Sequence, residues 1–332
     1  MTGTAGFIGF HLARLLTNEK ITVHGYDGFT DYYDIGLKNK RHEILSASPD
    51  FTSTTGMLED EEKLSDAVES FKPHVIVHLA AQAGVRYSLE NPRVYVDSNV
   101  MGTLNIMELA RNNEIEHLLI ASTSSVYGGN IEMPFSENQK SDSQLSIYSA
   151  TKKANESMAH AYSHLWNIPT TMFRFFTVYG PWGRPDMALF KFVKSILENN
   201  PIDIYNDGKM YRDFTYVDDL VRAIRLLIEA VPQSPDIRGR EYEGDSISKV
   251  APWRVINLGN SQKVELLDFI KEIELELGID AIKNYMPMQL GDVPATLADT
   301  TLLQTITGYK PHTDFKFGVR EFVRWYREYY GV

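Results

Sequence analysis

The sequence predicts an α/β protein built on a doubly wound parallel sheet. Three observations carry this. Short apolar, β-branched runs alternate with longer helical patterns through the first half of the 332 residues. A glycine run, Gly3-Thr4-Ala5-Gly6-Phe7-Ile8-Gly9, opens a helical pattern. The next strand-like run ends in an acid, Asp27.

The elements follow in order. The helix opened by the glycine run spans residues 10–16. Glycines at this spacing make a tight turn and let a pyrophosphate approach the backbone and the helix start. Only Met1 and Thr2 precede the run, so the central first strand is expected to be truncated. A parallel strand missing there would expose backbone groups and apolar surface on both neighbours. Lower stability is therefore expected than for a version with about five more apolar residues in front. The run 21–26 reads as a strand ending at Asp27. A carboxylate at that point can accept hydrogen bonds from an adenosine ribose, which favours NAD over NADP. Residues 61–70 read as a helix whose start carries the solvated acids of 59–62. Strand patterns at 75–79, 117–121 and 170–173 alternate with helical patterns at 100–111 and 150–165. Residues 231–252 are rich in Pro, Ser, Gly and charge and read as a loop or lid, because 254–258 resumes a strand pattern. Residues 264–277 and 316–329 read as amphipathic helices. In the last of these, Phe322, Trp325, Tyr326, Tyr329 and Tyr330 are spaced as a core-facing stripe.

Composition narrows the function. Hydrophobic content of 43% and charged content of 23% are those of a soluble globular chain. A net charge of -11 argues against non-specific binding to nucleic acid or an anionic membrane. There are no cysteines, which excludes disulfides, thiol nucleophiles and cysteine-ligated metals. No apolar run reaches the roughly 18 residues that cross a bilayer. The first residues lack a signal-peptide pattern. A cytoplasmic protein is the expectation.

The chemistry centres on Tyr148-Ser149-Ala150-Thr151-Lys152, preceded by Ser122-Thr123-Ser124-Ser125. On a helix, a phenol and an ammonium four positions apart share a face. A free tyrosine titrates near ~10 and is a poor base at neutral pH. A fixed cation beside it favours the phenolate. The hydroxyls around Thr123 would complete a proton relay to a substrate alcohol. This suits removal of a proton from a carbinol while its hydride leaves for a nicotinamide. The same spacing also describes an exposed helix pair, and it is the glycine turn with Asp27 that tips the reading towards a dinucleotide enzyme. Two other patterns have simpler readings. His160 and His164 are four apart but lack a third ligand, so packing is expected rather than a metal. Asp218-Asp219 points in two directions, so helix capping is expected rather than a carboxylate pair.

These residues resemble the extended short-chain dehydrogenase/reductase family over essentially the whole chain. Within it the resemblance is to members that invert C4 of UDP-sugars, those acting on glucuronate above all. Four stretches carry it: Asp31-Tyr32-Tyr33-Asp34, Ala80-Ala81-Gln82-Ala83-Gly84-Val85-Arg86-Tyr87-Ser88, Gly183-Arg184-Pro185-Asp186-Met187-Ala188 and Arg212-Asp213-Phe214-Thr215-Tyr216-Val217-Asp218-Asp219. The resemblance implies a Rossmann-type NAD domain over 1–180, also receiving 213–225 and 252–275. It implies a smaller interleaved substrate domain from 181–212, 226–251 and 276–332. It implies Tyr148 as base, Lys152 as the residue that lowers its pKa and holds the nicotinamide ribose, and Thr123 on the reacting hydroxyl. NAD contacts are implied for Gly3, Gly6, Ile8, Gly9, Asp27, Leu58, Leu79, Ala80, Ala81 and Asn99. Arg212 is similar to the arginine on the UDP pyrophosphate, Asp292 to the acid on the uridine ribose, and Tyr205 to a residue near the uracil. Arg86 and Arg184 are nearest the sugar carboxylate, with Ser124 and Ser125 beside Thr123.

Two departures matter. Met57 stands where the family often has an acid near adenine. Thr177 stands where galactose epimerases carry Asn, and resembles the glucuronate enzymes instead. A 4-keto uronate is a β-keto acid and loses CO2 easily. Related decarboxylases have a Glu in place of Ser125, and related dehydratases an Asp-Glu pair in this turn. The hydroxyls of Ser124 and Ser125 cannot do that work, which argues for retaining the carboxylate. The expected activity is NAD-dependent conversion of UDP-glucuronate to UDP-galacturonate through a 4-keto intermediate, for a polysaccharide precursor. A 4-epimerase of another UDP-hexose or N-acetylhexosamine, or a catalytically silent NAD-binding protein, are the alternatives. Family members pair through a four-helix interface, so helices 100–111 and 150–165 would supply a homodimer contact.

Overall fold

A computed structural model describes residues 1–237, 242–289 and 291–332. Its main sheet is parallel. Strand β1 (Val23–Asp27) pairs with β2 (Phe51–Thr55). Strands β3 (Val75–His78), β4 (His117–Thr123), β5 (Thr170–Phe175) and, later in the chain, β9 (Trp253–Leu258) pair in that order. The two groups meet at Thr2, which bridges Tyr26 of β1 and His78 of β3. Residues 1–3 occupy the place between them. Thr2 N donates to Val77 O at 3.0 Å, Gly3 N to Tyr26 O at 2.8 Å and Tyr26 N to Met1 O at 2.9 Å.

Both faces of the sheet are covered, as side-chain alternation requires. On β4, Leu119 points to one face, while Leu118 and Ile120 point to the other. The first face is covered by α1 (Phe7–Asn18), later joined by α9 (Val217–Glu229) and α11 (Thr301–Thr307). The second is covered by α3 (Glu61–Phe71), α6 (Gly102–Asn112) and α7 (Ile147–Trp166). Between β1 and β2 lies α2 (Ile35–Ser46), and after β3 come two single turns, α4 (Tyr87–Glu90) and α5 (Pro92–Tyr95). A wide π-turn at Val96–Met101 then feeds α6.

A second unit lies beyond β5. Strands β6 (Thr177–Tyr179), β8 (Tyr211–Tyr216) and β10 (Lys263–Glu265) form one small sheet, with β8 in the middle. Strands β7 (Ile202–Tyr205) and β11 (Lys283–Met286) form another. Helices α8 (Ala188–Leu197), α10 (Leu266–Leu277) and α12 (Phe315–Tyr330) bury one aromatic-rich core against them. There Phe214 stacks on Phe269 at 4.1 Å. Phe322, Trp325 and Tyr326 face that core, whereas Tyr330 at the end of the stripe is exposed.

Several expectations change. The helix expected at 264–277 begins at Leu266, because Val264 belongs to β10. Helix α10 buries Phe269, Ile270 and Ile273 in the second core, so the stretch 263–275 does not pack with the nucleotide unit as expected. Conversely Leu303 of α11 packs into the first core, although 276–332 was expected in the second unit. Of the loop expected at 231–252, residues 238–241 lie outside the described residues. The rest is fastened to α7 and β9. His160 Nε2 meets Ser248 Oγ at 2.8 Å, His164 Nδ1 meets Val250 O at 2.7 Å, and Arg254 pairs with Asp245 at 3.0 Å. Asp219 does not cap its own helix. It accepts hydrogen bonds from Tyr309 Oη and from the backbone N–H groups of His312 and Thr313, stapling a distant segment.

Candidate active site

The carboxyl ends of β1, β3, β4 and β5 open into one cavity of about 800 Å³, which extends to β7 and β8 of the second unit. In an open parallel sheet this crevice is where ligands bind.

At one end stands the glycine turn. Gly3 has φ +78° and lies so close to the 79–80 backbone that a Cβ would be 2.8 Å from Ala80 N. A Cβ on Gly9 would sit 1.9 Å from Gly3 O. Gly6 caps α1 with no side-chain bond, so N–H groups of the first turn face the cavity end unclaimed by a cap. Asp27 accepts from Ala5 N and Phe29 N, both at 2.9 Å, and lines the cavity with acceptor capacity left on both oxygens. Leu58, Leu79, Ala80 and Ala81 line the same end. Turn, helix start and acid together fit a dinucleotide's pyrophosphate and ribose. Met57 stands beside Gly28, where a Cβ would be 2.4 Å from its sulfur.

Asn99 is different. Its side chain accepts from Gln82 N at 2.8 Å and donates to Gln82 O at 2.9 Å and Thr151 Oγ1 at 3.1 Å. It is fully buried and spent inside the protein, so the expected direct NAD contact is corrected to a positioning role. The π-turn turns it inward.

At the centre, Tyr148 and Lys152 project from the first turns of α7, which starts in a capping box between Ser146 and Ser149. Thr123 ends β4 beside them, and its Oγ1 accepts from Ser125 N at 3.2 Å. Electrostatics differ from the expectation. Burial pushes the Tyr148 phenol up, and the groups that pull it down are the Thr123 hydroxyl and the Arg184 charge. Lys152 is not among them. Its Nζ donates to Ala121 O at 2.9 Å, and burial lowers its own pKa to about 8. One of its three N–H groups is thus committed to the strand.

Behind this centre is a buried ion pair. Glu156 on α7 takes Arg174 Nη2 at 2.8 Å and Ser122 Oγ at 2.7 Å, locking helix and strand ends together. Arg184 lines the cavity on the other side, bonded to Asp186 at 3.0 Å through Nε and to Ala83 O at 3.3 Å. Ser124, Ser125 and Thr177 line the wall around it.

At the far end four residues from distant parts of the chain converge. Arg212 Nη2 bonds Asp292 at 2.9 Å, Arg86 lies 4.0 Å from the same carboxylate, and its guanidinium sits 4.7 Å from the Tyr205 ring centre. Arg86, expected beside the sugar carboxylate, stands instead among the residues expected at the nucleotide. All four line the cavity. Lys38, Gln82 and Asp186 line it too and were not singled out. Gln82 and Asp186 lay inside two of the quoted motifs, and only the fold shows which motif members face inward.

Residues 1–239 match the model of the NAD dependent epimerase/dehydratase family. A probable UDP-glucuronate 4-epimerase of Rhizobium meliloti is 53% identical over 99% of this chain and 97% of its own. UDP-glucuronate 4-epimerase 4 of Arabidopsis thaliana is 43% identical over 99% of this chain and 75% of its own. The crystal structure of a Bacillus cereus UDP-glucuronic acid 4-epimerase with UDP-glucuronic acid and NAD superposes with a TM-score of 0.87 at 31% identity, covering 99% and 98% of the two chains.

Proposed function

The chain belongs to the NAD dependent epimerase/dehydratase family, and on that premise we propose that it inverts C4 of UDP-glucuronate, giving UDP-galacturonate through a 4-keto sugar. The observation that carries this reading is one cavity with three stations in line: the glycine turn with Asp27, the Tyr148–Thr123–Lys152 centre, and the Arg86–Arg212–Asp292–Tyr205 cluster.

Each station has a task. Gly3, Gly6, Ile8 and Gly9 would take the NAD pyrophosphate at the start of α1, and Asp27 the adenosine ribose. Lys152, with one N–H committed to Ala121 O, would hold the nicotinamide ribose with another. NAD, when bound, supplies the acceptor that takes the C4 hydride and returns it to the opposite face, and brings positive charge beside the phenol. Tyr148 removes the 4-hydroxyl proton, with Thr123 holding the same oxygen, and later gives a proton back. Base action of this kind contributes roughly 10²–10⁴-fold in rate. Arg212, Asp292 and Tyr205 keep the nucleotide fixed while the sugar turns, so that both faces of the ketone are used within one visit. Arg184, Ser124, Ser125 and Thr177 would surround the carboxylate. The turn at Ser124–Tyr127 carries hydroxyls and no acid, which supports retention of CO2. A homodimer fits the exposed Met101, Leu165 and Trp166 at the ends of the α6 and α7 helical segments.

The test is direct. The purified chain is incubated with NAD and UDP-glucuronate and the sugars are separated. UDP-galacturonate is expected; a UDP-pentose would mean decarboxylation, and no change would mean a silent NAD-binding protein. Tyr148→Phe should abolish turnover and leave the affinity for UDP within about twofold, because the phenol acts on the sugar alone.

A further inference from the structure

Gln82 is the unexplained group on the cavity wall. It is 8% exposed and lines the cavity, yet its Nε2 is buried with no hydrogen-bond partner in the protein. A buried primary amide left undonated is costly, so native proteins seldom keep one without use. The residue is also held at its backbone. Asn99 grips its backbone from both sides, at 2.8 Å and 2.9 Å, and bonds Thr151 next to Lys152. Gln82 is thereby indexed to the helix that carries Tyr148.

Its surroundings point to the sugar. Tyr95, whose phenol stands beside the Gln82 carboxamide, lies edge-on to Tyr148 with ring centres 6.0 Å apart. The Tyr95 hydroxyl is itself spent on Gly84 O at 2.6 Å. Even a bond to that phenol would use only one of the two Nε2 hydrogens. The next residue, Ala83, offers its carbonyl to Arg184 at 3.3 Å. Gln82 therefore occupies the wall between the base and the arginine proposed for the carboxylate.

We propose that Gln82 Nε2 donates a hydrogen bond to an oxygen of the substrate's hexuronate ring, making Gln82 a recognition residue for the sugar. This rests on the reading of the cavity as a UDP-sugar site. An amide donor serves a ring hydroxyl or a carboxylate oxygen, and it cannot be titrated away at working pH.

Calorimetric titration of the NAD-loaded full chain tests the proposal, using Gln82→Met, Gln82→Glu and the parent. UDP-glucuronate should bind both variants at least tenfold more weakly, while UDP, which lacks the sugar, binds within twofold of the parent and NAD content per chain is unchanged. If the acceptor is the carboxylate, the neutral Gln82→Met weakens UDP-glucuronate more than UDP-glucose; if it is a ring hydroxyl, the two sugars weaken alike in that variant. Unchanged sugar affinity, equal loss for UDP and UDP-glucuronate, or loss of NAD from the variants would each overturn the assignment. Failure of the parent to convert UDP-glucuronate would instead strike the functional reading. The Gln82 assignment would then fall only if UDP-glucose also bound the variants as it binds the parent.

Discussion

Arg184 enters the cavity already paired, and that decides what its removal does. Its guanidinium holds Asp186, and the pairing keeps the Asp186 carboxyl below the usual range. With substrate bound, a second carboxylate would share the same guanidinium. Arg184→Met removes a charge-assisted donor and also leaves Asp186 facing an anion. Hydrogen bonds to charged groups are worth about 1.5–3 kcal/mol, so the ratio of the dissociation constants for UDP-glucuronate and UDP should rise about 10- to 100-fold. An unchanged ratio would remove Arg184 from the carboxylate site. Residue identities at this centre were readable from spacing and motif: Tyr148, Lys152, Thr123 and Arg184 all line the cavity. Their electrostatics were not. The charge that pulls the phenol down belongs to Arg184, which is 36 positions from Tyr148 in sequence, and only the fold makes them neighbours. Asn99 shows the same limit, since a conventional contact position has been turned inward by a π-turn that no local pattern announces.

Among elements, β9 depends on a carboxyl group that the helix-and-strand pattern does not reveal. Glu137 is 9% exposed and accepts the N–H of Asn257 at 2.8 Å, which ties the 135–137 segment to the edge of the main sheet. Burial pushes its pKa from 4.5 to about 7. A carboxyl raised in the folded state stabilises fully below its unfolded pKa and loses that contribution as pH rises through the folded value. Its share of the stability therefore declines between about pH 4.5 and 7. Glu137→Gln keeps the acceptor and removes the titration. The melting-temperature difference, variant minus parent, should grow in the variant's favour from pH 5 to pH 8 and level off above it. A flat difference over that range would contradict the assignment. Elements with strong periodicity, such as α7 and β4, were found where expected. Strand β2 was not, because Phe51-Thr-Ser-Thr-Thr55 has one apolar residue and lies at the sheet edge, where one buried position suffices. The small strands of the second unit are three to six residues long and draw their stability from aromatic packing between segments far apart in the chain.

Across the whole molecule, the two halves of the main sheet are joined by very little. Among the described residues, Thr2 alone bridges β1 and β3, and its hydroxyl also serves His78 Nδ1 at 2.8 Å and the N–H groups of Leu79 and Ala80 at 3.1 Å. The Met1 amine lies in the same seam, donating to His24 O at 2.7 Å. Burial lowers it from 8.0 to about 5. A base depressed in the folded state contributes fully above its unfolded pKa and costs stability as pH falls towards the folded value, by about 1.4 kcal/mol per unit. Adding about five apolar residues in front would turn that amine into a paired amide and give both neighbouring strands a partner along their length. The extended version should melt higher at every pH. Its advantage should be larger at pH 5.5 than at pH 8.5, where the amine is neutral in both states. This pH dependence separates the buried charge from the added strand pairing: equal advantages at the two pH values would leave pairing alone at work, and equal melting temperatures would mean that the seam is already complete with two residues. Thr2's own hydrogen bonds all run to the β3 side and to the backbone that lines the NAD end of the cavity, whereas Met1 O and Gly3 N pair with Tyr26 of β1. The backbone that joins the two strands and the hydroxyl that holds the 79–80 backbone thus belong to adjoining atoms of one short segment, so the extension should also tighten NAD retention on gel filtration.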